Sequence, residues 1–309
     1  MKKKKLYILT GFLGAGKTSL LLHLLDHCGD LRVGVIQNEF GKVSIDGMLS
    51  RRDGIEMTEI SRGSIFCSCL KLRFVQALAE MGQKDVDLVV VESSGLADPS
   101  NMEEILGAVR LLAGDCYEFR GAICLVDAVN LLSQLSDVAT VDRQLTHCHM
   151  AVVNKTDLVT KAQLQAVLQA VRQVNPRCRV ETCTNGRVAL DFLEADLLAL
   201  QWAEGEDSLN TVDNKPKTIS LECSQPVRRE ELLDFLELVL PDTYRIKGFF
   251  QLDEGWHQVD VVERLVDLRP CGAQELSQLV FLSKIGPQVI RTVDSAWKQA
   301  VSAPMKLKN

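Results

Sequence analysis

Eight residues near the start of the chain, Gly11-Phe12-Leu13-Gly14-Ala15-Gly16-Lys17-Thr18, satisfy the spacing G-x-x-x-x-G-K-[ST] in full. The chemistry this spacing serves is the holding of a triphosphate. Glycines let backbone N–H groups curl around phosphate oxygens, and the following helix adds the partial positive charge of its N-terminus. Gly11, Gly14, Ala15, Gly16, Lys17, Thr18 and Ser19 are the expected nucleotide contacts. Lys17 is expected to neutralise the β- and γ-phosphates, and the Thr18 hydroxyl to ligate Mg²⁺.

Two further groups complete a nucleotide site. Glu92-Ser93-Ser94-Gly95-Leu96-Ala97-Asp98-Pro99 follows an apolar run, Leu88–Val91. An acid at such a strand end holds Mg²⁺ or its waters, and the Gly95 N–H can meet a γ-phosphate and so sense its loss. Asn154-Lys155-Thr156-Asp157 follows Ala151-Val152-Val153. An Asp in that place accepts two hydrogen bonds from guanine N1–H and its exocyclic amine. Adenine offers neither, and the wrong base leaves a carboxylate unpaired. GTP is therefore expected over ATP.

The elements that must carry these residues are legible from periodicity. Leu6–Thr10, Leu31–Gln37, Asp87–Glu92, Gly121–Asp127 and Met150–Asn154 read as strands, mostly as continuous apolar runs. Thr18–His27, Leu70–Met81 and Ala162–Val174 read as helices, the last stopped by Asn175-Pro176. Apolar strands separated by helices predict an α/β fold, a mostly parallel sheet covered on both faces, of the P-loop NTPase type. Residues 1–200 are assigned to this domain. The polar, acidic stretch 201–217 reads as a linker. Residues 218–309 read as a smaller α+β domain, with strands Thr218–Cys223, Tyr244–Gln251, Trp256–Val261 and Leu279–Ile285 and helices Arg228–Val239 and Pro287–Val301.

Composition narrows the class. The chain has 309 residues, a net charge of −6, 46% hydrophobic residues and ten cysteines. A chain of this length buries roughly three quarters of its unfolded surface. The apolar share excludes a disordered chain, and the mild acidity argues against nucleic acid as a partner. No apolar run approaches the ~20 residues that span a bilayer, and the Lys2–Lys5 run reads as a solvated start, so no membrane partner is expected. No signal peptide is recognisable at the start. The protein is read as cytoplasmic and its cysteines as reduced thiols.

Taken together, these residues resemble the CobW-type (CobW/HypB/UreG-like) GTPases, the metal-handling branch of the SIMIBI class. The resemblance runs from Lys5 to about Asn185 and includes Gln37-Asn38-Glu39-Phe40-Gly41, Ile45-Asp46 and Val126-Asp127-Ala128. Arg245-Ile246-Lys247-Gly248-Phe249-Phe250 resembles part of the family's small second domain. The resemblance implies slow GTP hydrolysis coupled to delivery of a metal, or of a metal-bearing cofactor, to a client protein. It also implies that GTP orders the switch segments and drives homodimerisation or client docking. Glu39, Asp46 and Glu92 are the candidate acids for orienting the attacking water. Lys42 stands where relatives often carry Glu.

The family's Gly-Cys-x-Cys-Cys metal motif is rewritten here as Gly63-Ser64-Ile65-Phe66-Cys67-Ser68-Cys69. Only Cys67 falls on a family cysteine. In extended backbone Cys67 and Cys69 point to one side and can share an ion, with Glu39 as a third ligand. Soft thiolates favour Zn²⁺ or Cu⁺ over Mg²⁺. His147-Cys148-His149 invites a metal reading, since in a strand the two histidines would share one face and Cys148 the other, but a structural role is the reading taken. Cys28, Cys116, Cys124, Cys178, Cys183, Cys223 and Cys271 read as scattered thiols without ligand spacing, Cys124 as core. Three readings follow. One is a metallochaperone with a client metalloenzyme. Another is a GTP-dependent assembly or reactivation factor for a cofactor enzyme, such as a corrinoid one, without metal cargo. The third is a GTP-gated interaction switch.

Overall fold

The computed structural model describes residues 2–29, 31–37, 55–59, 71–95, 99–195, 197–199, 218–262 and 265–308. The chain divides into two compact units, Met1–Asp213 and Asn214–Asn309. Residues 201–217, read above as a linker, lie outside the described residues.

In the first unit seven strands form one sheet: β1 (Lys4–Thr10), β2 (Val33–Gln37), β3 (Ile55–Glu59), β4 (Leu88–Glu92), β5 (Tyr117–Asp127), β6 (Met150–Asn154) and β7 (Arg179–Thr182). Their order is β3-β2-β4-β1-β5-β6-β7, and every neighbouring pair is parallel. Six α-helices accompany them among the described residues: α1 (Lys17–His27), α2 (Lys71–Gly82), α3 (Met102–Ala113), α4 (Leu131–Asp137), α5 (Ala139–Thr146) and α6 (Lys161–Val174); the single-turn helix Leu190–Leu193 adds Phe192 to the core.

The sheet is apolar because it is buried on both faces. Leu6, Ile8, Val89 and Val91 meet α2 and α3 on one side. Tyr7, Leu9, Val90, Ile123 and Val152 meet Leu20, Leu21 and Leu24 of α1 on the other. Each such fully buried side chain contributes roughly 1.5–3 kcal/mol of transfer free energy. The parallel register brings Gln37, Glu92, Thr10, Asp127 and Asn154 to the carboxyl ends of adjacent strands. In parallel α/β sheets that edge is where ligands bind.

The second unit is an antiparallel six-stranded sheet: β8 (Thr218–Cys223), β9 (Thr243–Leu252), β10 (Gly255–Val262), β11 (Leu265–Pro270), β12 (Ser277–Ser283) and β13 (Met305–Lys308), in the order β11-β10-β9-β12-β8-β13. Helices α7 (Arg229–Val239) and α8 (Val289–Ala300) share its core, where Phe235 packs edge-on against Trp297 and Phe281. The Arg245–Phe250 segment lies on β9. Ile246 and Phe250 point into that core, and Arg245 forms a two-pronged bond to Asp260 at 3.0 and 2.9 Å.

Candidate functional site

The turn after β1 is built on backbone angles that side chains resist. Gly11, Gly14 and Gly16 have φ of 128°, 72° and 105°. Gly16 also admits no side chain, because a Cβ there would stand 2.2 Å from Asn154 Nδ2. Lys17 opens α1 and is almost buried. Its ammonium donates to the carbonyls of Gly11 at 2.8 Å and Phe12 at 3.1 Å, so its charge lies across the mouth of the loop. Ala15 is buried and Ser19 is exposed.

Next along α1, Thr18 Oγ1 donates to Glu92 Oε1 at 2.6 Å. The other carboxylate oxygen of Glu92 accepts from Gln37 Nε2 at 2.9 Å. Glu92 is 2% exposed. A hydroxyl and a buried carboxylate facing each other beside a phosphate-type turn form a hard oxygen donor set, which fits Mg²⁺. Three residues on, Gly95 is pressed against the same turn. A Cβ at Gly95 would stand 2.7 Å from Leu13 N and 2.5 Å from Leu13 Cδ2.

The third group arrives from β6. Asn154 donates through Nδ2 to Ala15 O at 2.9 Å, fastening its own loop to the glycine turn. Lys155 adopts a left-handed φ of 64° and sets its ammonium 2.7 Å from Asp127 Oδ2. Asp127 also accepts from Val129 N at 2.9 Å and Asn130 Nδ2 at 3.0 Å. Asp157 is exposed, its carboxylate open to an incoming base.

A segment that motif reading missed supports this loop. After β7, Gly186 N donates to Asn154 Oδ1 at 3.1 Å, and Cys183 Sγ donates to the same oxygen at 3.4 Å. The carbonyl of Cys183 accepts from Thr156 Oγ1 at 3.0 Å. Burial pushes the Cys183 thiol up to about 11, so it stays protonated as a donor. The available signal was weak: a Thr-Asn-Gly turn following a short, polar strand.

Glu39, Asp46, Cys67 and Cys69 lie outside the described residues, as do Leu96, Ala97 and Asp98. Among the described residues, no group of three or more His, Cys, Asp or Glu is arranged to hold a metal ion. The expectation that His147 and His149 share a strand face is corrected. His147 caps the end of α5, and β6 begins only at Met150. Both rings are buried, and His149 Nδ1 accepts from Ala122 N at 2.9 Å. The reading of Cys124 and Cys178 as scattered is also corrected. The fold brings both beside Cys148, whose own thiol donates to Leu145 O at 3.2 Å. That proximity pushes the Cys148 thiol up and holds Cys178 down. Linear spacing could not announce this cluster, because three separate segments of the chain bring it together.

The family profile described as the CobW/HypB/UreG nucleotide-binding domain matches residues 5–181, and the profile of the cobalamin synthesis protein cobW C-terminal domain matches residues 217–293. Among curated relatives, the zinc chaperone YjiA of Escherichia coli is 29% identical over 262 residues, spanning 80% of this chain and 81% of its own. The zinc-regulated GTPase metalloprotein activator 1 of Schizosaccharomyces pombe is 28% identical, spanning 92% of this chain and 80% of its own. The crystal structure of Zn(II)-bound YjiA GTPase from E. coli aligns over 98% of this chain and 100% of its own, at 25% identity and a TM-score of 0.50. With more than half of its residues inside the nucleotide-binding profile, the chain belongs to the CobW/HypB/UreG family and carries that family's CobW C-terminal domain as well.

Proposed function

We propose that this chain binds and slowly hydrolyses GTP and uses the cycle to deliver a metal ion, Zn²⁺ by the names of its relatives, to a client protein. The observation that carries the nucleotide half is the 2.9 Å bond from Asn154 Nδ2 to Ala15 O. It couples a guanine-reading loop to a phosphate-reading turn, so base and phosphates are measured by one rigid piece.

Phosphoryl transfer needs placement and charge neutralisation more than covalent chemistry. In this reading the N–H groups of residues 11–19 surround the phosphates and Lys17 exchanges the loop carbonyls for phosphate oxygens. Thr18 and Glu92 would hold Mg²⁺, which would supply positive charge to the phosphates. Gln37 keeps the second oxygen of Glu92 engaged, which supports a metal-holding role for Glu92 over a water-orienting one. The water-orienting acid is then Glu39 or Asp46. Asp157 reads guanine, while Lys155, tied to Asp127, walls the base site. The Gly95 N–H contacts the γ-phosphate. Cys67 and Cys69, with Glu39, are the proposed cargo ligands. The client and GTP-driven homodimerisation belong to the same proposal, since a two-thiolate site leaves zinc coordination to be completed from outside the protomer.

The test is phosphate release from GTP and from ATP by the full chain, followed by metal analysis of the GTP-loaded protein and of its Cys67→Ser and Cys69→Ser variants. Turnover of GTP well above ATP and a metal content lost in both variants are expected. Equal turnover of the two nucleotides would sink the guanine assignment. Absence of metal in the wild type would favour the assembly-factor reading, in which GTP alone drives the client.

A further inference from the structure

Gly95 presents a physical difficulty. Its close approach to Leu13 demands glycine, yet glycine has the freest backbone of all residues. Left to itself it would not hold its N–H in one direction. The structure supplies an anchor. Gln144, on α5 and 1% exposed, donates through Nε2 to the Gly95 carbonyl at 3.2 Å. One residue earlier on the same helix, Arg143 donates to Ser100 Oγ at 3.1 Å, and Ser100 is 2% exposed. Helix α5 therefore grips the chain on both sides of residues 96–98. The same helix leads into β6, which ends at Asn154.

We propose that Gln144 is a positioning residue for GTP hydrolysis: its bond pins the Gly95–Leu96 peptide on one side, Ser93 N bonded to Leu9 O at 2.9 Å pins the chain on the other, and the Ser94–Gly95 peptide held between them keeps the Gly95 N–H toward the γ-phosphate. This rests on the GTP site proposed above and adds to it a residue outside every nucleotide motif. Gln144 touches neither nucleotide nor water in this reading. It acts through Gly95, so its loss should be felt by the triphosphate and not by the diphosphate.

The experiment uses the full chain with Gln144→Met, which keeps length and volume but cannot donate, and Gln144→Ala, which removes both. Steady-state GTP hydrolysis is measured beside the affinities for GDP and for a non-hydrolysable GTP analogue. For Gln144→Met, kcat should fall about tenfold, the size of one hydrogen bond lost from the reacting state. GDP affinity should stay at the wild-type value while the ratio of analogue to GDP affinity falls. A merely packing role would leave Gln144→Met at wild-type kcat and let only Gln144→Ala fail, with GDP affinity and thermal stability falling together. That pattern overturns the proposal. A wild-type chain that does not hydrolyse GTP would overturn the GTP reading and this inference with it. Hydrolysis by the wild type with an unaltered Gln144→Met overturns the inference alone.

Discussion

The two ends of the seven-stranded sheet bury polar side chains in opposite ways. At the carboxyl end the charged groups Lys17, Glu92 and Asp127 are nearly enclosed, and most of their bonds run to other side chains or to turn carbonyls, Val129 N on Asp127 being the backbone exception. At the amino end of β6 and β7 the buried polar groups are His147, His149, Cys148 and Asn175, and the bonds of His149 and Asn175 run mostly to backbone. A charge held by another side chain can change partner when a ligand arrives. A neutral group held by backbone is part of the scaffold. The difference teaches where chemistry can occur: one end stores exchangeable charge, the other spends its polar atoms on fixing chain geometry.

The sharpest way to break this comparison is Lys17→Ala. The ammonium now rests on two loop carbonyls, so removing it should cost the folded protein little. Its proposed partners when nucleotide is bound are phosphates, and hydrogen bonds between charged groups are worth roughly 1.5–3 kcal/mol each. GTP affinity should fall on the order of 10²-fold or more, with the melting temperature held within a few degrees. Isothermal titration and thermal unfolding read both quantities. Unchanged GTP affinity would remove the phosphate role from the loop.

The same contrast explains how much could be read from residues alone. The glycine turn, Glu92 and Asn154–Asp157 were legible because ligand chemistry restricts residue type at those positions. Central strands such as Leu88–Glu92 and Met150–Asn154 were legible because burial on both faces forces unbroken apolar runs. The strands that went unread are Ile55–Glu59, Arg179–Thr182, Leu265–Pro270 and Met305–Lys308. All four are sheet edges, two in each unit. An edge strand has one neighbour and more solvent, so its sequence carries charges and loses the apolar signature. The bond from Gln144 to Gly95 and the meeting of Cys124, Cys148 and Cys178 were illegible for another reason. They are products of tertiary packing between distant segments, with no local spacing to betray them.

At the amino end the largest expected effect is on stability, from Asn175→Ala. Asn175 precedes Pro176 and has the extended backbone that such a residue is pushed toward, φ −134° and ψ 92°. Its amide nitrogen donates to the carbonyls of Leu145 at 2.8 Å, Thr146 at 3.2 Å and Cys148 at 2.9 Å. Its oxygen accepts from Arg177 N at 3.2 Å and Cys178 N at 3.0 Å. One side chain thus ties the end of α5 to the start of β7. Truncation leaves several backbone groups without partners, at about 1 kcal/mol net for each bond lost. A loss of about 3 kcal/mol in denaturant unfolding is expected, with the ratio of GTP to GDP affinity unchanged. A changed ratio at normal stability would erase the distinction between the two ends.

A finer test of the same end is pH. Burial lowers His149 from its ordinary 6.5 to about 3, and its Nδ1 accepts the Ala122 amide, so the folded ring is neutral. The unfolded chain takes up a proton below pH 6.5, and the folded chain does not until near pH 3. Stability from this residue is therefore complete above pH 6.5 and is lost as pH falls, by up to about 1.4 kcal/mol per pH unit. Carboxylates such as Asp87, held low by Arg32, titrate further down, which leaves pH 6.5 to 5 as the clean window. His149→Asn keeps an acceptor near Ala122 N and cannot be protonated. Its unfolding free energy should vary less steeply than the wild type across that window, with nucleotide affinity the same in both. Parallel slopes would show that the His149 ring is charged in the folded protein, and that the amino end, too, holds exchangeable charge.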